Sequence, residues 1–373
     1  MLILGDPSSV WEKEFVEHVL LPRGHSVFLQ SNYSEDDRFT GFYEENGIAV
    51  IRGEPIPRWV MRMPKIRASI MAQKQSKALA KHGQFDIVIN MFVSPAALSQ
   101  ALQCRGDRGK VYAFFCGSDI IRSSFWRTLR LRSLLGKVDH VVCASSNVRQ
   151  AYDTKIGNDV STPCTTIRLG ITSFDYIDAR LSNGTKNDAK QELNIPLDKI
   201  TLSIGYNASG AQNHLPVLEQ IRCLPQDVRD KLVILLPMTY GGNSRYISSV
   251  QKTVSQVGCE FLIFRNFMDG DQIARLRLAT DIFINAQMSD GLSASVLEAL
   301  YAGAILLNAS WLSYREYLEW GLSLLSFSRF EDIPKLVTSV FSKAGKEESP
   351  SRAVLREKMS WNQCQEAWGR LLR

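Results

Sequence analysis

The sequence predicts an α/β protein of two domains, each built on a parallel sheet, and three observations carry that expectation. Short buried-strand segments alternate with helical or polar stretches. They fall into two series, separated by a segment rich in Thr, Ser, Asn and Gly. The chain of 373 residues is long for one core but suits two domains of roughly 170 residues each.

The first series opens on Met1-Leu-Ile-Leu-Gly5, a strand ending in a glycine turn, followed by a helix carrying Trp11, Phe15 and His18-Val19 on one face. Arg23-Gly24-His25 ends that helix, and Ser26-Val-Phe-Leu-Gln30 is the second strand. Phe85-Asp-Ile-Val-Ile89, Val111-Tyr-Ala-Phe-Phe115 and His140-Val-Val-Cys-Ala144 continue the pattern. The second series comprises Ile200-Thr-Leu-Ser-Ile204, Lys231-Leu-Val-Ile-Leu-Leu236, Glu260-Phe-Leu-Ile-Phe264, Asp281-Ile-Phe-Ile284 and Ala304-Ile-Leu-Leu307, with helices expected over Asp271 to Leu278 and Ser293 to Tyr301. Between the series, Gly157 to Asp188 reads as a hinge and linker. Ser360 is placed to cap a terminal helix whose Trp361, Cys364, Trp368 and Leu371 share a face. The expected divisions are therefore 1–170, 171–352, and a C-terminal segment 353–373 that packs back on the first domain.

Composition removes several function classes. Hydrophobic residues are 45% and charged residues 22%, ordinary for a soluble globular chain. No apolar run reaches the ~18 residues of a spanning helix, and the opening segment lacks the basic start of a signal peptide, so a cytoplasmic location is expected. Seven scattered cysteines without a Cys-x-x-Cys pair read as reduced thiols, and five scattered histidines give no metal-ligand spacing, so no metal and no cofactor are expected. The net charge of +6 is unevenly spread. Arg58, Arg62, Lys65, Arg67, Lys74, Lys77 and Lys81 form one run without acidic residues, interleaved with Trp59, Met61, Ile66 and Ile70. Arg122, Arg127, Arg130, Arg132 and Lys137 form a second around Phe125 and Trp126. Both suit the surface of an anionic membrane, with solvated helix faces as the alternative reading. No nucleic-acid-binding module is recognisable, so nucleic acid is not an expected partner.

The most informative stretch runs from Asp281 to Gly303. A strand gives way to a loop of small residues, Ser289-Asp290-Gly291-Leu292, which opens a helix at about Ser293-Ala294-Ser295. Unpaired N–H groups and the positive end of the helix dipole make such a start an anion site that suits a diphosphate. Glu298 lies a turn and a half along the helix, and Asp290 stands in the loop before it. This segment resembles the donor-binding signature of family 4 retaining glycosyltransferases, in which two acidic residues separated by seven others precede an Ala-Leu-x-x-Gly-like stretch. Asp290 and Glu298 keep the spacing, and Ala299-Leu300-Tyr-Ala-Gly303 matches the continuation.

The resemblance implies the GT-B architecture, two Rossmann-like domains whose parallel sheets face an interdomain cleft. It implies that Glu298 binds the ribose hydroxyls of a nucleoside diphosphate sugar, that Asp290 touches the donor sugar, and that Gly291 to Ser295 hold the diphosphate. Asp290 is one methylene shorter than the Glu usual at its position. Gly117-Ser118-Asp119, directly after a strand, looks like a turn of the acceptor-side domain, which makes Asp119 a second candidate catalytic residue. Arg168-Leu-Gly170 stands where the family has an Asn-Gly hinge. The family usually places an Arg and a Lys after the first strand of the second domain. Here that loop is Gly205 to His214, so neutral Asn207, Asn213 and His214 would hold the diphosphate in their place. Arg265 and Phe267 follow the third strand, where the family meets the nucleobase, with the diphosphate as the alternative partner of Arg265.

The reading that follows is a glycosyltransferase that moves a sugar, with retention and without a metal, from a nucleotide sugar to a glycan acceptor. A lipid-linked precursor of bacterial cell-surface polysaccharide is the expected acceptor, on a cytoplasmic or peripheral membrane protein. A GT-B sugar-nucleotide epimerase or hydrolase, and a non-catalytic membrane-bound partner of a transferase assembly, are the alternatives. Base, sugar, linkage and oligomeric state are not readable from the sequence.

Overall fold

The computed structural model describes residues 1–31, 38–53, 64–157, 160–345, 349 and 351–373. The chain divides into two compact units, one of Met1–Gly170 with Trp361–Arg373, the other of Ile171–Ser360.

The sheet of the first unit contains β1 (Leu2–Gly5), β2 (Phe28–Ser31), β3 (Ala49–Ile51), β4 (Phe85–Met91), β5 (Arg105–Phe115), β6 (His140–Cys143) and β7 (Cys164–Thr166), in the order β3-β2-β1-β4-β5-β6-β7. All neighbours pair in parallel. Alternate residues feed two cores, which is why the strands read as unbroken apolar runs. Leu2, Leu4, Val88, Ala113 and Phe115 pack on one face with Leu98, Leu131 and Leu135. Ile3, Ile89, Tyr112 and Phe114 pack on the other with Phe15, Val19 and Trp368. Trp368 is fully buried, 4.7 Å from the Phe15 ring and 5.0 Å from Phe114, and its indole N–H donates to the Arg168 carbonyl at 3.0 Å. The terminal helix Trp361–Leu371 thus belongs to the first unit, whereas the preceding helix Arg352–Met359 buries Leu355 and Met359 in the second.

The second unit carries β8 (Ile200–Ile204), β9 (Leu232–Pro237), β10 (Glu260–Phe264), β11 (Ile282–Asn285), β12 (Ile305–Ala309) and β13 (Leu325–Phe327), in the order β10-β9-β8-β11-β12-β13. Its pairings are parallel as well. The chain leaves β8 toward one edge and returns at β11 to build toward the other. The carboxyl ends of β8 and β11 therefore form a topological switch point, where open α/β sheets take their ligands.

The expected linker between Gly157 and Asp188 is corrected by the structure. It contains β7 and the helix Ser173–Asn183, and a further helix, Lys186–Glu192, starts within it. Phe174 and Ile177 share the buried face of the first helix, and the Phe174 ring stacks on Tyr301 at 4.0 Å. The polar residues that suggested a hinge are helix ends instead: Thr185 and Asp188 form a reciprocal capping box. Among the described residues no helix is long and apolar enough to cross a membrane.

Candidate functional site

The site is built at the carboxyl ends of β8 and β11, where the two loops are stitched together. The Met288 amide donates to the Ala211 carbonyl at 2.8 Å, and Asn213 Nδ2 donates to the Ala286 carbonyl at 2.8 Å. Gln287 is buried between them. Its Oε1 accepts from the Tyr206 hydroxyl at 2.9 Å and from Gln212 Nε2 at 3.0 Å, while its carbonyl accepts from the Trp311 indole at 2.9 Å. Tyr206, Gln212 and Gln287 escaped the sequence reading, because isolated polar residues in a loop carry no periodic signal.

Ser293 caps the helix Ala294–Tyr301, its Oγ accepting from the Val296 amide at 3.4 Å. The Leu297 amide donates to the Ser293 carbonyl. Among the described residues, no hydrogen bond reaches the amides of Ala294 and Ser295, so the first turn presents two N–H donors together with the positive end of the helix dipole.

Asp290 is held in the loop before this turn. Its Oδ1 accepts from the Gly291 amide at 2.8 Å and its Oδ2 from the Tyr314 hydroxyl at 2.8 Å. That hydroxyl in turn accepts from Asn285 Nδ2 at 3.0 Å, so a chain of bonds runs from the end of β11 to the carboxylate. Burial, and then the charge of Asp290, raise the Tyr314 phenol well above its ordinary pKa, which keeps it a donor. Tyr317 stacks on Tyr314 at 4.4 Å and donates to the Ser293 carbonyl at 3.1 Å, fixing the helix start from the same side. The two tyrosines, three apart just after β12, were a legible but unread signal of one helical face turned toward the loop.

Glu298 is buried and already engaged. Its Oε1 accepts from the Ser173 hydroxyl at 2.8 Å, and its Oε2 lies 3.0 Å from Arg277 Nε. Arg277, at the end of the helix Gly270–Leu278, is likewise buried, with no hydrogen-bond partner for its Nη1 among the described residues and its guanidinium 5.5 Å from the Phe283 ring centroid. This partner was missed too, although an arginine inside Leu276-Arg-Leu-Ala279, just before a buried strand, is an anomaly that sequence alone displays.

The neutral loop after β8 is more internally committed than its composition suggested. Asn207 Oδ1 accepts from the Ser209 amide at 2.9 Å, and Asn213 sits at φ 57° with its amide nitrogen on Ala286. His214 is fully buried, its Nδ1 3.2 Å from the Tyr246 hydroxyl, and burial lowers its pKa to about 4, so the ring is neutral at pH 7. Gly205 opens the loop at φ 63°, and a Cβ there would press on Gln212 and His214. Arg265 and Phe267 follow β10, which β9 and β8 separate from β11; Arg265 donates to Gln251 at 2.5 Å, and Phe267 is 40% exposed.

In the first unit, Asp119 is buried and its carboxylate accepts backbone amides of Gly117 at 2.8 Å, Val93 at 3.0 Å and Cys116 at 3.2 Å. Those bonds make it the brace of the Gly117 turn. Burial raises its pKa while the amides oppose the shift. Of the first basic run, Arg58 and Arg62 lie outside the described residues, as do the side chains of Lys65 and Arg67; Lys74 is half-buried, and Lys77 and Lys81 are exposed.

No protein-family model matches the chain, and no curated protein matches it. Solved structures do. A glycosyltransferase from Rickettsia africae superposes with a TM-score of 0.73 at 17% identity, over 99% of this chain and 96% of that one. HepE from Anabaena, solved with UDP and glucose, gives a TM-score of 0.72 at 13% identity, over 100% of this chain and 98% of that one. Sucrose-phosphate synthase from Thermosynechococcus elongatus gives 0.75 at 14% identity, again over 100% and 98%. The chain has the GT-B fold. At such identities the likeness establishes architecture, and the function has to be argued from the site.

Proposed function

We propose that this protein is a glycosyltransferase that takes a sugar from a nucleoside diphosphate sugar. The observation that carries the reading is the helix start at Ser293: two amides that no hydrogen bond reaches among the described residues, at a topological switch point, flanked by a braced Asp290 and a buried, oriented Glu298. The diphosphate rests on the Ala294 and Ser295 amides, as it does at helix N-termini generally. Charge gathers on the departing phosphate as the glycosidic bond breaks, and donors fixed beforehand stabilise it without reorganisation, which needs no metal ion. Glu298 accepts from the ribose hydroxyls through the carboxylate lone pairs that Ser173 and Arg277 leave open. Asp290 orients the donor sugar, and Asp119 serves the acceptor side by shaping the Gly117 turn. Similar folds solved with UDP and UDP-glucose make uridine nucleotides the first donors to try. The reaction proceeds with retention, as the resemblance of Asp290 to Gly303 implies, and the acceptor is a lipid-linked glycan of a bacterial surface polysaccharide, as the resemblance of the neutral Asn207 to His214 loop and of Pro237-Met-Thr-Tyr240-Gly to envelope transferases implies.

A thermal-shift panel of nucleotide sugars tests the reading, because a ligand that binds only the native state raises the melting temperature. Selective stabilisation by one nucleotide sugar, with nucleoside diphosphate released only when a glycan acceptor is present, supports it. Release without acceptor would favour a hydrolase, and no stabilisation by any member would favour a non-catalytic partner.

A further inference from the structure

The loops after β8 and β9 flank the switch point of the second sheet, and neither carries a cation: no lysine or arginine occurs from Thr201 to Ile221 or from Pro237 to Ser244. An anion on that side has only neutral donors to meet. The two loops touch through their backbones, the Ala208 amide donating to the Tyr240 carbonyl at 2.7 Å. That contact explains the glycine pair that follows. Gly241 adopts φ 80°, and a Cβ at Gly242 would stand 2.4 Å from the Ala208 carbonyl oxygen. Tyr240 is thereby fixed against the β8 loop while remaining 60% exposed. Its hydroxyl end is nonetheless enclosed. Burial raises the phenol above its ordinary pKa, the Asn207 side chain opposes that rise, and the charges that reach it are those of Glu298, Arg277 and Asp290. Asn207 Oδ1 accepts from the Ser209 amide at 2.9 Å, so Nδ2 is the group Asn207 offers to the phenol oxygen. The Tyr206 hydroxyl gives its proton to Gln287 Oε1 at 2.9 Å, whereas among the described residues no acceptor takes that of Tyr240.

We propose that the Tyr240 hydroxyl, oriented by Asn207, donates a hydrogen bond to the diphosphate of the nucleotide sugar, on the side of the site where the β8 and β9 loops bring no cation. The proposal rests on the donor site described above and adds a residue to it. A phenol that keeps its proton and already has its oxygen met by an amide has one thing left to give, and a phosphate oxygen accepts it with the extra strength of a charged partner. The Ala294 and Ser295 amides hold the diphosphate from the β11 side, and Tyr240 meets it from the β9 side.

Tyr240→Phe keeps the ring and removes only the donor. Calorimetry should show UDP binding to the full chain weakened by about tenfold or more, since the bond lost goes to a charged group. Uridine lacks the diphosphate, and saturation-transfer NMR should find it bound to Tyr240→Phe as to the parent. The melting temperature should stay close to that of the parent, because the side chain is largely exposed. Asn207→Ala should weaken UDP by a smaller factor, since the hydroxyl remains but loses its orientation. Tyr240→Phe that binds UDP as tightly as the parent would overturn the proposal, and so would equal losses for UDP and uridine, which would put Tyr240 on the nucleoside. Failure of the donor site itself reads differently: the parent then binds no UDP, and this proposal falls with it.

Discussion

Arg277 and Glu298 form a buried ion pair: Nε and Oε2 are 3.0 Å apart, with side chains only 4% and 11% exposed. Such a pair is costly to break from one side, because the remaining charge is stranded, and far less costly to replace as a whole. Arg277→Met should therefore destabilise the protein by roughly 3 kcal/mol or more in urea melts. Arg277→Met/Glu298→Leu should recover a good part of that loss while still failing to bind nucleotide. If the double variant is as unstable as the sum of the singles, the two residues are not coupled.

Ser173 contributes the other fixed bond to Glu298, a hydroxyl donor 2.8 Å from Oε1. Ser173→Ala should cost about 1 kcal/mol of stability and loosen the carboxylate without removing its charge. Nucleoside diphosphate affinity should fall by less than in Glu298→Gln, which calorimetry on the two variants compares directly.

Tyr314 braces Asp290, and Tyr314→Phe removes only the hydroxyl that links the carboxylate to Asn285. The expected result is a stability loss of about 1 kcal/mol and a fall in turnover at nearly unchanged nucleoside diphosphate affinity, because the sugar rather than the nucleotide loses its orientation. Equal losses in affinity and turnover would place Asp290 on the nucleotide instead.

Glu12 gives the first unit a pH signature. It is fully buried beside Gly5, accepts from the Asp6 amide at 2.6 Å, and burial pushes its pKa up to about 8 from 4.5. The folded state therefore keeps a proton that the unfolded chain releases above pH 4.5. This contribution to stability is full below the unfolded value and is lost as pH rises toward about 8, on the order of a few kcal/mol. Glu12→Gln, which stays neutral, should flatten the decline of stability across that window. An unchanged pH profile would show that Glu12 ionises as it does in water.

The sheets were legible because a strand buried on both faces writes itself as an apolar run, as Ile200–Ile204 does on its predicted residues; the half-buried edge strand Glu260–Phe264 also falls where predicted, because its run is apolar too. The three-residue strands Ala49–Ile51, Cys164–Thr166 and Leu325–Phe327 were not, since they are too short and too exposed to carry a pattern. At the site, the helix start at Ser293 and the spacing of Asp290 and Glu298 were visible because they are local. Their partners Tyr314, Arg277 and Ser173 stand 24, 21 and 125 residues away, and only the fold brings them together. Composition misled where one residue type serves two purposes: Thr185 and Asp188 read as linker and are a cap.

The placement of the donor on the second unit is tested most directly by calorimetric titration of UDP into the parent, Glu298→Gln and Asp290→Asn, each checked for folding by its melting curve. If Glu298 holds the ribose, Glu298→Gln exchanges an acceptor for a donor and removes the charge. A lost charge-assisted bond contributes roughly 1.5 to 3 kcal/mol, so UDP should bind about ten- to a hundredfold more weakly. Asp290→Asn should bind UDP nearly as the parent does, because its partner is the sugar that UDP lacks. A folded Glu298→Gln that binds UDP as tightly as the parent would contradict the donor site proposed for this chain.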